Sequence, residues 1–231
     1  MPLLDALITN FENGVTNRRA NNIFGNMAQL DPTRFHNFFD DFDTYLAAQW
    51  VVTEIGVATQ VLTDGDGGLL LITNAAADND SSFSQKVGES FTLEAGSKSY
   101  FRARYQVNLA VQCEHVMGLQ DLDTTPLAAS DGIWFQNDDG DDNLDFHHAI
   151  GSVQTSALDV FSLVDATELT VEWYFDGIDR IYYGVNGTVL GRLDPPNIVT
   201  TELTVSYGVQ NGEAVAKTMT LDYIFAAKER G

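Results

Sequence analysis

The sequence predicts an all-β protein: an antiparallel β-sandwich preceded by an N-terminal arm. Three observations carry that expectation. After Asp40 the chain breaks into many short β-type runs separated by Gly, Asn and Asp. Several runs alternate polar and apolar residues, the period of a strand with one buried face. No long helical pattern follows the arm.

The arm comes first. Met1–Phe11 places Leu3, Leu4, Leu7, Ile8 and Phe11 at helical spacing, which predicts one short amphipathic helix. Asn and Gly are dense from there to Asn26, which opposes regular structure, and Arg18 and Arg19 sit among them. Ile23, Phe24, Met27, Leu30, Phe35, Phe38 and Phe39 are costly to leave in water, so part of this segment is expected to dock. The expected division is an arm over 1–40 and a sandwich over 41–231.

In the body, Trp50–Ile55 and Gly68–Thr73 read as two strands of a hairpin, with Asp64-Gly65-Asp66-Gly67-Gly68 as the turn signal. Ser99–Leu109 alternates, with Arg102, Arg104 and Gln106 on one face and Phe101, Ala103, Tyr105 and Val107 on the other. Val111–Gln120 reads as its neighbour. Gly132–Gln136 runs through the acidic turn Asn137–Asp142 into Asn143–Ile150. Leu169–Phe175, Arg180–Val185 and Thr188–Leu193 form a meander through the tight turns Asp176-Gly177 and Asn186-Gly187. Asp194-Pro195-Pro196 stops the pairing, because proline donates nothing to a ladder. Leu203–Val209 and Lys217–Ala226 close the domain, the latter with Met219, Leu221, Tyr223 and Phe225 expected on one face.

Charge excludes some partners. The 231 residues carry 33 acidic and 12 basic side chains, a formal net of −21. That balance opposes nucleic acid and anionic membranes as partners. Apolar runs such as Leu69–Ile72 are strand-length, far short of a membrane span. No leader of secretory type opens the chain, so no secretory signal is expected. The single cysteine, Cys113, permits no intrachain disulfide and is expected as a small core residue.

Candidate chemistry is sparse. The acidic loop Asn137–Asp145 offers Asp139, Asp141 and Asp145 as ligands for calcium, which prefers clustered carboxylates. The EF-hand spacing fails, because Phe135 stands five residues before Gly140, and a solvated hairpin turn accounts for the same residues; no cofactor is expected. Asp141, Asn143, Asp145 and His147 share one strand face by their spacing of two. Two carboxylates on one face are the minimum for glycoside hydrolysis. Laminarinase-type glycanases, however, carry Glu-x-Asp-x-Glu on such a strand, and neither Glu is present here. His147 and His148 point to opposite faces of a strand, His115 and His36 lack metal spacing, and no Ser, His and Asp arrangement is recognisable locally. The expectation is a protein that binds or assembles and is not an enzyme.

Two resemblances sharpen this. Trp173-Tyr174-Phe175-Asp176-Gly177 followed by Val185-Asn186-Gly187 resembles the convex sheet of concanavalin-like or laminin-G-like jelly rolls, which implies an antiparallel jelly-roll sandwich. Across more of the chain, Asp31-Pro32-Thr33-Arg34-Phe35, Phe39-Asp40-Asp41-Phe42-Asp43, Asp64–Gly68 and Asp131–Gln136 followed by Asp138-Asp139-Gly140 are similar to a group of tailed-bacteriophage virion proteins. That resemblance implies a capsid decoration protein, assembled in the host cytoplasm and binding the major capsid protein on the outer shell of the virion. On this reading the arm supplies the assembly contacts, through Leu3, Leu4, Leu7, Phe11, Arg18, Arg19, Phe24, Phe35, Phe38 and Phe39. A closed homo-oligomer follows from the symmetry of shells, with a trimer favoured over a dimer. The alternative is a concanavalin-like carbohydrate-binding module using Trp134, Tyr174 or Tyr182 as exposed aromatics.

Overall fold

The computed structural model of the chain describes residues 35–65 and 67–230. The strands are β1 (Phe35–Asp40), β2 (Trp50–Ile55), β3 (Ala58–Thr63), β4 (Leu69–Asn74), β5 (Ser81–Lys86), β6 (Ser99–Val107), β7 (Cys113–Gln120), β8 (Gly132–Asn137), β9 (Asn143–Ile150), β10 (Val153–Ser162), β11 (Leu169–Phe175), β12 (Ile181–Val185), β13 (Thr188–Leu193), β14 (Thr204–Asn211) and β15 (Thr218–Glu229). They make two antiparallel sheets. One runs β13-β12-β11-β6-β15-β4-β3, with β1 also paired to β15; the other runs β10-β9-β8-β7-β14-β5-β2. No helix among the described residues is long and apolar enough to cross a membrane.

Alternation explains how the sheets face each other. On β6, Phe101, Ala103, Tyr105 and Val107 are buried while Arg102, Arg104 and Gln106 point away. The inner faces meet in one aromatic-rich core. Phe101 stacks on Trp173 at 6.0 Å, Phe135 contacts Phe146 at 4.7 Å, and Phe146 contacts Tyr183 at 4.8 Å. Cys113 is fully buried in this core, and burial pushes its thiol up to about 12. The meander β11-β12-β13 turns through Asn186 and Gly187, both at positive φ (52° and 77°), the geometry an Asn-Gly hairpin turn requires.

Three local expectations are corrected. The Asp64–Gly68 turn joins β3 to β4, not β2 to β4, and β2 pairs with β5 in the opposite sheet. Gly56, at φ 76°, breaks the run between β2 and β3 and lets the chain change sheets. On β15 the register shifts between Leu221 and Tyr223, so Leu221, Ile224 and Ala226 face the core. Tyr223 and Phe225, expected to face inward with Leu221, lie on the outer face; a bulge of one residue reverses every side chain beyond it. Finally, Phe35–Asp40, assigned by sequence to the arm, is strand β1 of the sandwich. Phe38 packs on the core and meets Trp50 edge-on at 6.1 Å, Phe35 packs on outer-face tyrosines, and Phe39 is exposed. Leu3, Leu4, Leu7, Phe11, Arg18, Arg19 and Phe24 lie outside the described residues.

Candidate functional site on the outer face of the seven-stranded sheet

Cross-strand register builds this face in rows. One row is Phe83, Gly208, Val116, Gln136 and Asp145, taken from β5, β14, β7, β8 and β9. The next is Gln85, Ser206, Gly118, Trp134, His147 and Ser156, which adds β10. Glycine makes the middle of both rows possible. A Cβ on Gly118 would come within 2.5 Å of Trp134 Cα, and one on Gly208 within 2.5 Å of Phe83 Cδ1. Without those Cβ atoms, the aromatic side chains close down on the sheet.

A loop then covers one end. Gln120 Nε2 donates to Pro126 O at 2.8 Å, Gln85 Nε2 donates to Asp121 O at 2.8 Å, and Asp123 N donates to Gln85 Oε1 at 3.0 Å. These bonds hold segment 121–131 over the sheet, where Leu127 and Ala129 pack with Trp134, Phe83, Val116 and Ala149. Trp134 is consequently 0% exposed. The expectation of an exposed stacking platform at Trp134 is therefore corrected. Tyr174 and Tyr182 lie on the outer face of the other sheet, 6.4 Å apart, with Tyr174 buried, so the three aromatics do not converge.

The open end is polar and acidic. Trp134 Nε1 donates to Gln136 Oε1, and Gln136 Nε2 donates to Asp138 Oδ1, both at 2.8 Å. Gln210 Nε2 donates to Glu114 Oε2 at 2.7 Å. Asp145 Oδ1 accepts the backbone N–H of Asp159 at 2.7 Å. That donor is delivered by a bulge in β10 between Ala157 and Phe161, where Asp159 takes a left-handed φ of 54°. Burial raises the Asp145 carboxyl above its usual range, and Asp138, Asp159 and Asp141 add to the effect. Glu114 is raised in the same way, by burial first and then by Asp139 and Asp138.

His147 and His148 part company as adjacent strand residues do. His148 turns inward, accepts the Val199 N–H at 3.2 Å on Nε2, and is lowered by burial to about 4. His147 turns outward beside Trp134, with ring centroids 5.4 Å apart, and burial lowers its pKa too. The calcium ligands proposed from sequence do not come together. Asp141 Oδ1 accepts from the N–H and Nδ2 of Asn143, Asp145 is tied to β10, and Asp139 sits among Glu114 and the start of β7. Among the described residues no group of three or more His, Cys, Asp or Glu is arranged to hold a metal ion.

Sequence reasoning singled out Asp145, His147 and Trp134 but not Glu114, Gln136, Gln210 or Ser156. These come from four strands, and no spacing within one segment announces them. The available signal was the alternation of Trp134 with Gln136, which placed both on one face.

Fold and face together define a concanavalin-like jelly-roll sandwich. No protein-family model matches the chain, and no curated protein does at sequence level. Solved structures do match. The endo-1,3-beta-glucanase from Streptomyces sioyaensis superposes with a TM-score of 0.61 at 15% identity, covering 87% of this chain and 98% of the glucanase. A prokaryotic beta-1,3-1,4-glucanase (lichenase) derived from a mouse hindgut metagenome gives 0.59 at 12% identity, covering 82% and 98%. The carbohydrate recognition domain of Emp46p gives 0.55 at 9%, covering 81% and 93%.

These likenesses establish the fold. They also overturn the expectation of a chain that is not an enzyme, since the architecture taken as a binding scaffold is one that glucanases possess. Nothing in the comparisons supports the capsid-decoration reading; the carbohydrate alternative is the better supported of the two.

Proposed function

We propose that the outer face of the seven-stranded sheet binds a neutral polysaccharide. The observation that carries this reading is the cluster of amide and carboxylate groups, with Gln210 bonded to Glu114, Gln136 to Asp138 and Asp145 to the Asp159 N–H, beside a loop-covered, apolar half of the same face. Amides and carboxylates are the natural partners of sugar hydroxyls, because each sugar O–H both donates and accepts. Holding them in place before binding reduces the ordering cost. The shared fold with glucanases and a carbohydrate recognition domain agrees with it. The net charge of −21 disfavours polyuronates and sulfated chains, so the ligand is uncharged.

Affinity electrophoresis in gels containing laminarin, lichenan or a polyuronate tests this. The neutral glucans should retard the chain and the polyuronate should not. A hydrogen bond to a charged group contributes roughly 1.5–3 kcal/mol, so Asp145→Asn combined with Gln136→Ala should weaken binding at least about tenfold. Unretarded migration in every gel, or a double variant that binds as the parent does, rejects the reading.

A second reading, cleavage of the bound chain, is favoured by one feature. Glu114 and Asp145 put two carboxyl groups on this face, the minimum for glycoside cleavage, and burial biases Glu114 towards the protonated form a general acid needs. Reducing ends released from a neutral glucan by the parent, and lost in Asp145→Asn, would establish it.

A further inference from the structure

His147 is constrained on three sides. Its ring lies against Trp134 at 33°, its Nδ1 is 2.7 Å from Ser156 Oγ, and its Nε2 faces Asp145 Oδ2 at 4.0 Å. The side chain is 8% exposed, and Nε2 has no hydrogen-bond partner among the described residues. Ser156, by contrast, is exposed on β10, the edge strand of its sheet. A buried imidazole nitrogen that points at a carboxylate without reaching it, while its other nitrogen grips an exposed hydroxyl, is more than a core histidine requires.

The proton positions follow from electrostatics. A neutral imidazole has one donor and one acceptor nitrogen. If Nδ1 carried the proton, the Nε2 lone pair would face the negative charge of Asp145. If Nε2 carries it, the N–H points at the carboxylate, and Ser156 donates its hydroxyl hydrogen to Nδ1. The second arrangement is favoured, and it leaves the serine oxygen next to a base backed by an acid.

We propose that Ser156, His147 and Asp145 form a nucleophile, base and orienting carboxylate for acyl transfer from a neutral ester. Ser156 Oγ would attack the ester carbonyl carbon while its proton passes to His147 Nδ1. The carbon–oxygen bond to the alcohol then breaks, and the departing alkoxide takes the proton back from Nδ1. Water repeats the sequence on the acyl-serine, releasing the carboxylic acid and restoring Ser156. The roles are those of a Ser-His-Asp triad with the two ring nitrogens exchanged; such triads are recognised by geometry and role. The 4.0 Å gap is longer than a hydrogen bond, and catalytic hydrogen bonds of this kind tighten once substrate is bound. As an edge strand, β10 also presents backbone N–H groups free of a ladder partner on its outer side, the kind of donor a developing oxyanion needs. Asp138 and Asp159 beside the array disfavour anionic acyl groups, so a short neutral one such as acetyl is the expected substrate class.

The inference stands apart from glycan binding and is tested without a glycan. The full chain is treated with phenylmethanesulfonyl fluoride and the adduct located by peptide mass spectrometry, alongside turnover of p-nitrophenyl acetate. The expected result is sulfonylation at Ser156, absent in Ser156→Ala and slowed about a hundredfold or more in His147→Gln. Asp145→Asn should slow it less, because it removes only the orienting charge. If His147→Gln does not fold, the Asp145→Asn and Ser156→Ala pair decides, since both positions face outward. No adduct at Ser156, or labelling equally fast in the parent and Asp145→Asn, overturns the proposal. Ester turnover with no retardation by glucans would leave the array intact and reject the glycan reading alone; the converse would do the opposite.

Discussion

Acidification should expose the cost of burying His115. This residue is 0% exposed, its Nε2 lies 2.9 Å from the Tyr105 hydroxyl, and burial lowers its pKa from 6.5 to about 4. Because the folded value lies below the unfolded one, the unfolded chain takes up the proton first as pH falls. The stability contribution is complete above the unfolded value and is lost progressively from about 6.5 down to about 4. Between about pH 7 and about pH 5 the loss from this residue comes to about 2 kcal/mol. Glu114, Asp121 and Asp145 act with the opposite sign: burial raises them, so the folded chain takes up their protons first and gains stability over part of the same range. A raw stability profile therefore mixes the two.

The difference between the parent and His115→Gln isolates the histidine, since every other group is common to both. Glutamine also keeps a polar atom for the Tyr105 hydroxyl. Urea unfolding of both proteins at about pH 7 and about pH 5 should show the parent losing about 2 kcal/mol more than the variant. Equal losses in the two proteins would refute the argument and mean that His115 is hydrated or already paired in a way that accommodates charge.

The remaining predictions concern burial and close approach. Lys217 is 1% exposed at its side chain and its ammonium lies 2.6 Å from Glu213 Oε1, so Glu213→Gln should destabilise by on the order of 2 kcal/mol, and Lys217→Met by less, in chemical denaturation. Gly118→Ala would put a Cβ 2.4 Å from Ile133 O and 2.5 Å from Trp134 Cα; it should cost about 1–3 kcal/mol and red-shift tryptophan emission as the ring lifts off the sheet. Cys113, fully buried with its thiol pushed up to about 12, should resist chromogenic aromatic disulfide reagents in the native state and react once urea unfolds the chain. Reaction at a native rate near that of a free thiol would contradict its burial.

Much of the architecture was legible residue by residue. The alternation of Phe101, Ala103, Tyr105 and Val107 with Arg102, Arg104 and Gln106 states which side of β6 is buried, because a strand repeats every two residues whatever it pairs with. Asn186-Gly187 states a hairpin, because only such residues accept two positive φ values cheaply. The fold class followed from signals of that local kind.

The tertiary structure decided the rest. Ser81, Ser82, Ser84 and Gln85 are buried on β5 although nothing in their polarity predicts a central strand; it is the pairing with β14 and β2 that encloses them. The bulge after Leu221 reversed the faces of Tyr223 and Phe225, and a one-residue slip leaves no mark in an alternating pattern. Trp134 has the sequence pattern of an exposed aromatic, yet loop 121–131 lies on it and buries it. Glu114, Gln136, Asp145 and Ser156 share one face only because β7, β8, β9 and β10 lie side by side in that order. Periodicity is a property of one strand and the sequence carries it; adjacency is a property of the sheet, fixed by contacts between residues far apart in the chain.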